Sequence, residues 1–73
     1  MPTLKSGSTG PQVAALQEQL QKRGFDPGQV NGSFGPSTEA AVRAFQKSVG
    51  LKDDGQAGSN TIAALGGGRG AGP

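Results

Sequence analysis

The side chains of this 73-residue sequence that could do acid–base work are five carboxylates, Glu18, Asp26, Glu39, Asp53 and Asp54, and there is neither histidine nor cysteine beside them. Ser–His and Cys–His nucleophile–base pairs therefore cannot be built. A glycosidase pair needs one carboxyl in an apolar cleft and a second across the scissile bond. Glu18 and Glu39 are accounted for otherwise, since each precedes a cation by four residues, Lys22 and Arg43, in the order that stabilises a helix. The three aspartates stand in turn sequences. Asp53 and Asp54 are adjacent, but solvation of a turn explains them better than metal ligation. The expectation is a chain with no catalytic residues, no metal site and no cofactor, which is to say not an enzyme.

Binding chemistry is better supplied. A G-x-x-G beat occurs three times, in "SGSTGPQVAAL" (6–16), "NGSFGPST" (31–38) and "DGQAGSNTIAAL" (54–65), each followed by Val or Thr and an alanine-containing run. The first glycine permits positive φ in a turn. The second suits a helix N-cap, and Pro11 and Pro36 suit the first helical position, where no N–H is needed. A helix that starts this way leaves unpaired N–H groups and partial positive charge, which suits a carboxylate or other anion. The candidate ligand-binding residues are Asn31, Ser33, Ser37, Arg43 and Asn60, in a groove beside the second and third helix starts. The competing structural reading has Asn31 shaping its turn and Arg43 simply pairing with Glu39. Thr38 and Thr61 hold matching places, with hydroxyls expected to bond back to the preceding turn. Gln17 and Gln46 are expected to tie loop backbone with half-buried amides.

The elements that must position these groups are three helices. Val13, Leu16 and Leu20 make one stripe over about Pro11–Arg23, and Gly24 ends it. Ala41, Val42, Phe45 and Val49 do the same over about Pro36–Ser48, closed by Gly50. A shorter pattern runs from about Ser59 to Leu65, with Ile62 and Leu65 inward. The fold class is all-α, a compact three-helix bundle with glycine-rich turns. The loops "FDPGQVNGSFG" and "LKDDGQAG" leave room for a short β-pairing with each other, weakened by Pro27. The expected core is Leu4, Val13, Leu16, Leu20, Phe25, Val30, Phe34, Val42, Phe45, Val49, Leu51, Ile62 and Leu65. Residues 1–3 read as an N-terminal extension, 4–65 as the domain and 66–73, "GGGRGAGP", as a flexible tail or linker.

A net charge of +2 argues against nucleic acid and against an anionic membrane surface. The residues between the paired glycines, Ser-Thr, Ser-Phe and Gln-Ala, lack the basic character of a nucleic-acid-binding GxxG loop. No apolar run reaches the roughly 20 residues that span a bilayer. The opening "MPTLKSGSTG" lacks the apolar stretch of a secretory signal. A fragment is expected, or a protein that reaches its target by another route.

Leu4, Gly7, Gly10, Val13, Leu16-Gln17, Leu20 and Gly24 carry a family resemblance onward through Gly32, Phe34-Gly35, Thr38, Ala41-Val42, Phe45-Gln46, Gly50-Leu51, Asp54-Gly55, Gly58, Thr61 and Leu65. Together they resemble the three-helix peptidoglycan-binding domain found beside catalytic domains in bacterial and phage cell-wall hydrolases. The resemblance covers residues 4 to 65. It implies a monomeric, non-catalytic module that holds the peptide stem of peptidoglycan and tethers a hydrolase, an amidase or lysin, to its substrate. The location implied is the cell wall, periplasm or extracellular space, and a phage lysin released through a membrane hole would need no signal. The same fold resembles the pro-segment of matrix metalloproteinases, which uses a cysteine that this chain lacks. Asn31 stands where the family usually has Asp. Ala57 replaces a branched apolar residue, so the third loop is expected to pack less tightly. Without Trp or Tyr there is no stacking platform for sugars, which favours peptide over glycan. The alternative function is a protein-docking module of a phage tail or secretion assembly.

Overall fold

Each helix begins one residue past the second glycine of a beat. In the computed structural model, which describes residues 3–65, α1 spans Pro11–Lys22, α2 spans Pro36–Ser48 and α3 spans Ser59–Ala64. Their N-caps are Gly10, Gly35 and Gly58, and no side chain caps any of the three. The two long helices end alike. Phe25 N–H donates to Leu20 O (2.9 Å) and Gly24 N–H to Gln21 O (3.1 Å), while Leu51 N–H donates to Gln46 O (2.8 Å) and Gly50 N–H to Lys47 O (3.3 Å). This is the Schellman arrangement, with a left-handed glycine in each.

The core forms between these helices and their corners. Leu4, Val13, Leu16, Leu20, Phe34, Ala41, Val42, Phe45, Ala57 and Leu65 are buried, and Phe25 and Ile62 pack against them. Phe25 meets Phe45 edge-on at 5.7 Å, an arrangement that favours the ring quadrupoles. Phe34 points inward from its tight turn, as expected of an aromatic there. Two expected core residues lie outside: Val30 and Val49 are 37% and 47% exposed. Val49 is the C-cap of α2, where the helix has already turned its stripe away, and Val30 sits on the outer side of its loop.

The expected loop-to-loop pairing falls elsewhere. Each loop pairs instead with the segment before α1. Leu4 and Ala57 exchange backbone hydrogen bonds (3.1 and 2.7 Å), and Thr9 pairs antiparallel with Ser33. Around the second pair, Gly7 N–H donates to Phe34 O, Phe34 N–H to Ser8 O and Gly10 N–H to Gly32 O. Residues 4–9 form a strap across both corners, because their own N–H and C=O groups have no helix to join. Residues 1, 2 and 66–73, including the expected tail, lie outside the described residues.

Candidate functional site

The two loops between helices are variations on one corner. In the corner before α2, Gln17 is 1% exposed and sends its amide across to the loop. Its Oε1 accepts from Asn31 N–H (3.0 Å) and Gly32 N–H (2.9 Å), and its Nε2 donates to Ser33 O (3.0 Å) and Thr38 Oγ1 (3.0 Å). In the corner before α3, Gln46 is also 1% exposed and repeats the device. Its Oε1 accepts from Gly55 N–H (3.0 Å), and its Nε2 donates to Gln56 O (2.8 Å) and Thr61 Oγ1 (3.0 Å). Asn31 and Asp54 occupy equivalent places, each accepting from the backbone N–H two residues on (2.9 Å in both). A polar amide is affordable inside so small a core because it replaces, bond for bond, the water that the loop backbone would otherwise need.

Thr38 and Thr61 are thus structural, as expected, but their main partner is the glutamine of the preceding helix. They differ in one bond. Thr38 Oγ1 also donates to Pro27 O at 3.3 Å, whereas the Thr61 hydroxyl has no acceptor among the described residues. The loops explain why. Measured between their bounding glycines, the stretch from Gly50 to Gly58 is three residues shorter than that from Gly24 to Gly35. Phe25 matches Leu51 by its helix-ending bond, and Gln29 matches Lys52 counting back from the helix start. The segment without a counterpart is Asp26-Pro27-Gly28. Pro27 is fully buried, and a Cβ at Gly28 would lie 3.0 Å from Ser37 Cβ, so this segment sits over the start of α2.

At the start of α3 the equivalent space is open. A cleft of about 350 Å³ is lined there by Thr3, Gln46, Leu51, Lys52, Asp54, Gln56, Gly58, Ser59, Asn60 and Thr61. Lys52 and Asp54 bring opposite charges to it, where the second corner has neutral Gln29 and Asn31. The Asp54 carboxyl is held below its ordinary value of 3.8, first by the Gln56 N–H; partial desolvation opposes this, and the Gln46 amide and nearby Lys52 reinforce it. Asp54 is an anion at neutral pH.

Of the five residues expected to bind ligand, Asn60 lines this cleft. Asn31 serves its turn and Gln17 (3.4 Å to Nε2), while Ser33 and Ser37 are exposed beside the occupied corner. Arg43 lies 3.6 Å from Glu39, with both side chains substantially exposed, as the i, i+4 spacing foretold. Lys52, Asp54, Gln56 and Ser59, which also line the cleft, were not among the expected ligand residues. The signal that could have found them was loop length: three missing residues leave a gap. Ala57 is itself fully buried and does not line the cleft.

Among the described residues the fold is a three-helix module with amide-stapled corners and an open cleft beside α3. Residues 9–65 match the family model described as a peptidoglycan binding domain, and this chain belongs to that family. It is 43% identical over 58 residues to the spore cortex-lytic enzyme of Bacillus cereus, a match covering 80% of this chain and 22% of that protein. It is equally 43% identical over 56 residues to the N-acetylmuramoyl-L-alanine amidase CwlM of Mycobacterium tuberculosis, covering 77% and 14%. The crystal structure of the SleB N-terminal domain is similar with a TM-score of 0.85 at 41% identity, covering 88% of each chain. The chain spans less than a quarter of the length of the curated relatives named here.

Proposed function

We propose that this chain is a non-catalytic module that binds peptidoglycan through the peptide stem and holds a cell-wall hydrolase against its substrate. Family membership supports peptidoglycan as the ligand, and the small share of the relatives' length that is matched supports a module serving a separate catalytic part. The observation that carries the stem-peptide reading is the cleft beside α3. Its lining is hydroxyls, amides, one cation and one anion beside the apolar Leu51 and the backbone of Gly58, with no aromatic ring on which a sugar could stack. A stem peptide offers the matching amides and carboxylates. The module works as a monomer at the wall, the cleft beside α3 engaging one stem.

The test is co-sedimentation of the purified domain with intact sacculi, followed by amide chemical-shift titration with a defined muropeptide. Binding is expected, with the largest shifts at Lys52, Gln56, Ser59 and Asn60. A domain that stays in the supernatant with both Gram-negative and Gram-positive sacculi overturns the reading. Shifts produced by glycan strands stripped of peptide, and equal in size, would overturn the choice of stem peptide.

A further inference from the structure

Among the described residues, the Thr61 hydroxyl is a buried polar group with an unused donor. Thr61 is 4% exposed and lines the cleft, and its Oγ1 accepts from Gln46 Nε2 at 3.0 Å. Its own hydrogen finds no acceptor among the described residues. A buried hydroxyl with an unused donor costs free energy unless something fills the place. The matching hydroxyl, Thr38, shows what that something is: it donates to the carbonyl oxygen of Pro27, from the three residues that the third corner lacks. The second corner is closed by a piece of its own main chain, and the third is open at the same position.

We propose that a peptide oxygen of the ligand takes at Thr61 the place that Pro27 O takes at Thr38, accepting the hydrogen bond from Thr61 Oγ1 while its chain lies along the cleft where Asp26-Pro27-Gly28 lies in the second corner. The inference rests on the peptidoglycan-binding reading and adds to it the group recognised. A backbone carbonyl and a terminal carboxylate share this chemistry. Lys52, at the same cleft, gives a carboxylate a nearby cation. Asp54 Oδ1 accepts from the same Gln46 Nε2 as Thr61 Oγ1 (3.1 and 3.0 Å), so its negative charge opposes Lys52 there and favours a neutral carbonyl over a carboxylate.

The experiment compares Thr61→Val and Thr61→Ser with the unaltered domain. Valine keeps the shape and removes the hydroxyl, and Gln46 Nε2 retains Asp54 Oδ1 (3.1 Å) and Gln56 O as acceptors, so folding is preserved. Affinity for a muramyl tripeptide is read by chemical-shift titration, once with a free terminal carboxylate and once as its C-terminal amide. Thr61→Val is expected to weaken binding about threefold to tenfold, with Thr61→Ser close to the unaltered domain. Thr38→Val is the control, losing stability with no loss of affinity. Weaker binding of the amide than of the acid assigns the oxygen to the carboxylate, and equal binding assigns it to a backbone carbonyl. If Thr61→Val binds the tripeptide as tightly as the unaltered domain, or shifts centre away from the cleft, this inference is overturned while sacculus binding still stands. If the unaltered domain binds neither tripeptide nor sacculi, the functional reading falls and takes this one with it.

Discussion

The side-chain amide nitrogen of Gln17 lies 3.0 Å from the hydroxyl of Thr38, a residue 21 positions further along the chain, with both groups buried. One side chain on α1 thereby fixes both the loop that follows and the helix that the loop launches. Gln46 and Thr61 repeat the contact 15 residues apart. With no disulfide and no metal-holding cluster among the described residues, these two amides do the positioning that covalent staples do in other small domains. The amide-to-threonine contact and the amide-to-loop contacts recur in both loops, but the loop before α3 is three residues shorter, and the cleft lies where those residues would be.

Replacing Gln17 by Met keeps the volume and removes every one of these bonds. The N–H groups of Asn31 and Gly32 lose their shared acceptor, and Thr38 Oγ1 and Ser33 O lose their donor. Leaving such groups unpaired costs about 2–4 kcal/mol in total. Urea unfolding is expected to show a large drop in midpoint with little change in slope. A loss below about 0.5 kcal/mol would mean that water replaces the amide freely.

Gly55 and Gly24 both have positive φ, +76 and +88, but only Gly55 is crowded. A Cβ at Gly24 meets nothing within 4 Å, so Gly24→Ala costs about 1 kcal/mol of backbone strain alone. A Cβ at Gly55 would lie 2.8 Å from Glu39 Cγ and 3.2 Å from Arg43 Nε, so the i, i+4 pair must also move. Gly55→Ala is expected to lower the melting temperature clearly more than Gly24→Ala, and equal shifts would contradict the packing of α2 on this turn.

Much of this was readable before any coordinates. The G-x-x-G beats and Pro11 and Pro36 located the helix starts to the residue, and Gly24 and Gly50 located the ends, because both signals act within one turn of chain. The roles of Gln17 and Gln46 were also legible, since an amide beside a core residue in so small a domain needs a backbone partner. What failed were statements that need the third dimension. Val49 fits the helical period but falls at the cap, where the period stops counting. The strap made by residues 4–9 could not be seen, because two isolated bridges have no alternating sequence pattern of their own. Of the five candidate ligand residues, Asn60 lies at the open cleft while Asn31, Ser33 and Ser37 lie at the corner that Pro27 fills, a difference carried by loop length and not by residue type.

Asp54 gives the domain a pH signature. Its carboxyl is held below 3.8 in the fold, chiefly by the Gln56 N–H, so the folded state binds that proton less readily than the unfolded chain. The resulting stability is fully present above the unfolded value and is lost as pH falls through the folded one. Asp54→Asn keeps an acceptor oxygen in the same place, as Asn31 does in the second corner. The variant is expected to match the parent near pH 7 and to lose less stability between about pH 4.5 and 2. Thermal melts over that range check it; parallel curves for the two proteins would show that the Asp54 contacts contribute nothing as a charge.

The last prediction tests whether loop length alone decides which corner opens. Deleting Asp26, Pro27 and Gly28 joins Phe25 to Gln29, the same connection that Leu51 makes to Lys52 in the third corner. The helix-ending bond from Phe25 N–H to Leu20 O lies before the cut, and the Gln17 bonds to residues 31–33 lie after it. The side-chain bond inside the segment, from Gly28 N–H to Asp26 Oδ1, disappears with both partners. What remains behind is the Thr38 hydroxyl without Pro27 O, at a cost of about 1–3 kcal/mol together with the lost burial of Pro27. The shortened domain is therefore expected to fold with a lower melting temperature and to gain a cleft beside α2, seen as stronger attenuation of the Ser37 and Thr38 amide signals by a soluble paramagnetic probe while the α3 corner is unchanged. If the deletion leaves the attenuation at Ser37 and Thr38 unchanged, the segment was not what closed that corner, and the open cleft beside α3 must owe its existence to something other than three missing residues.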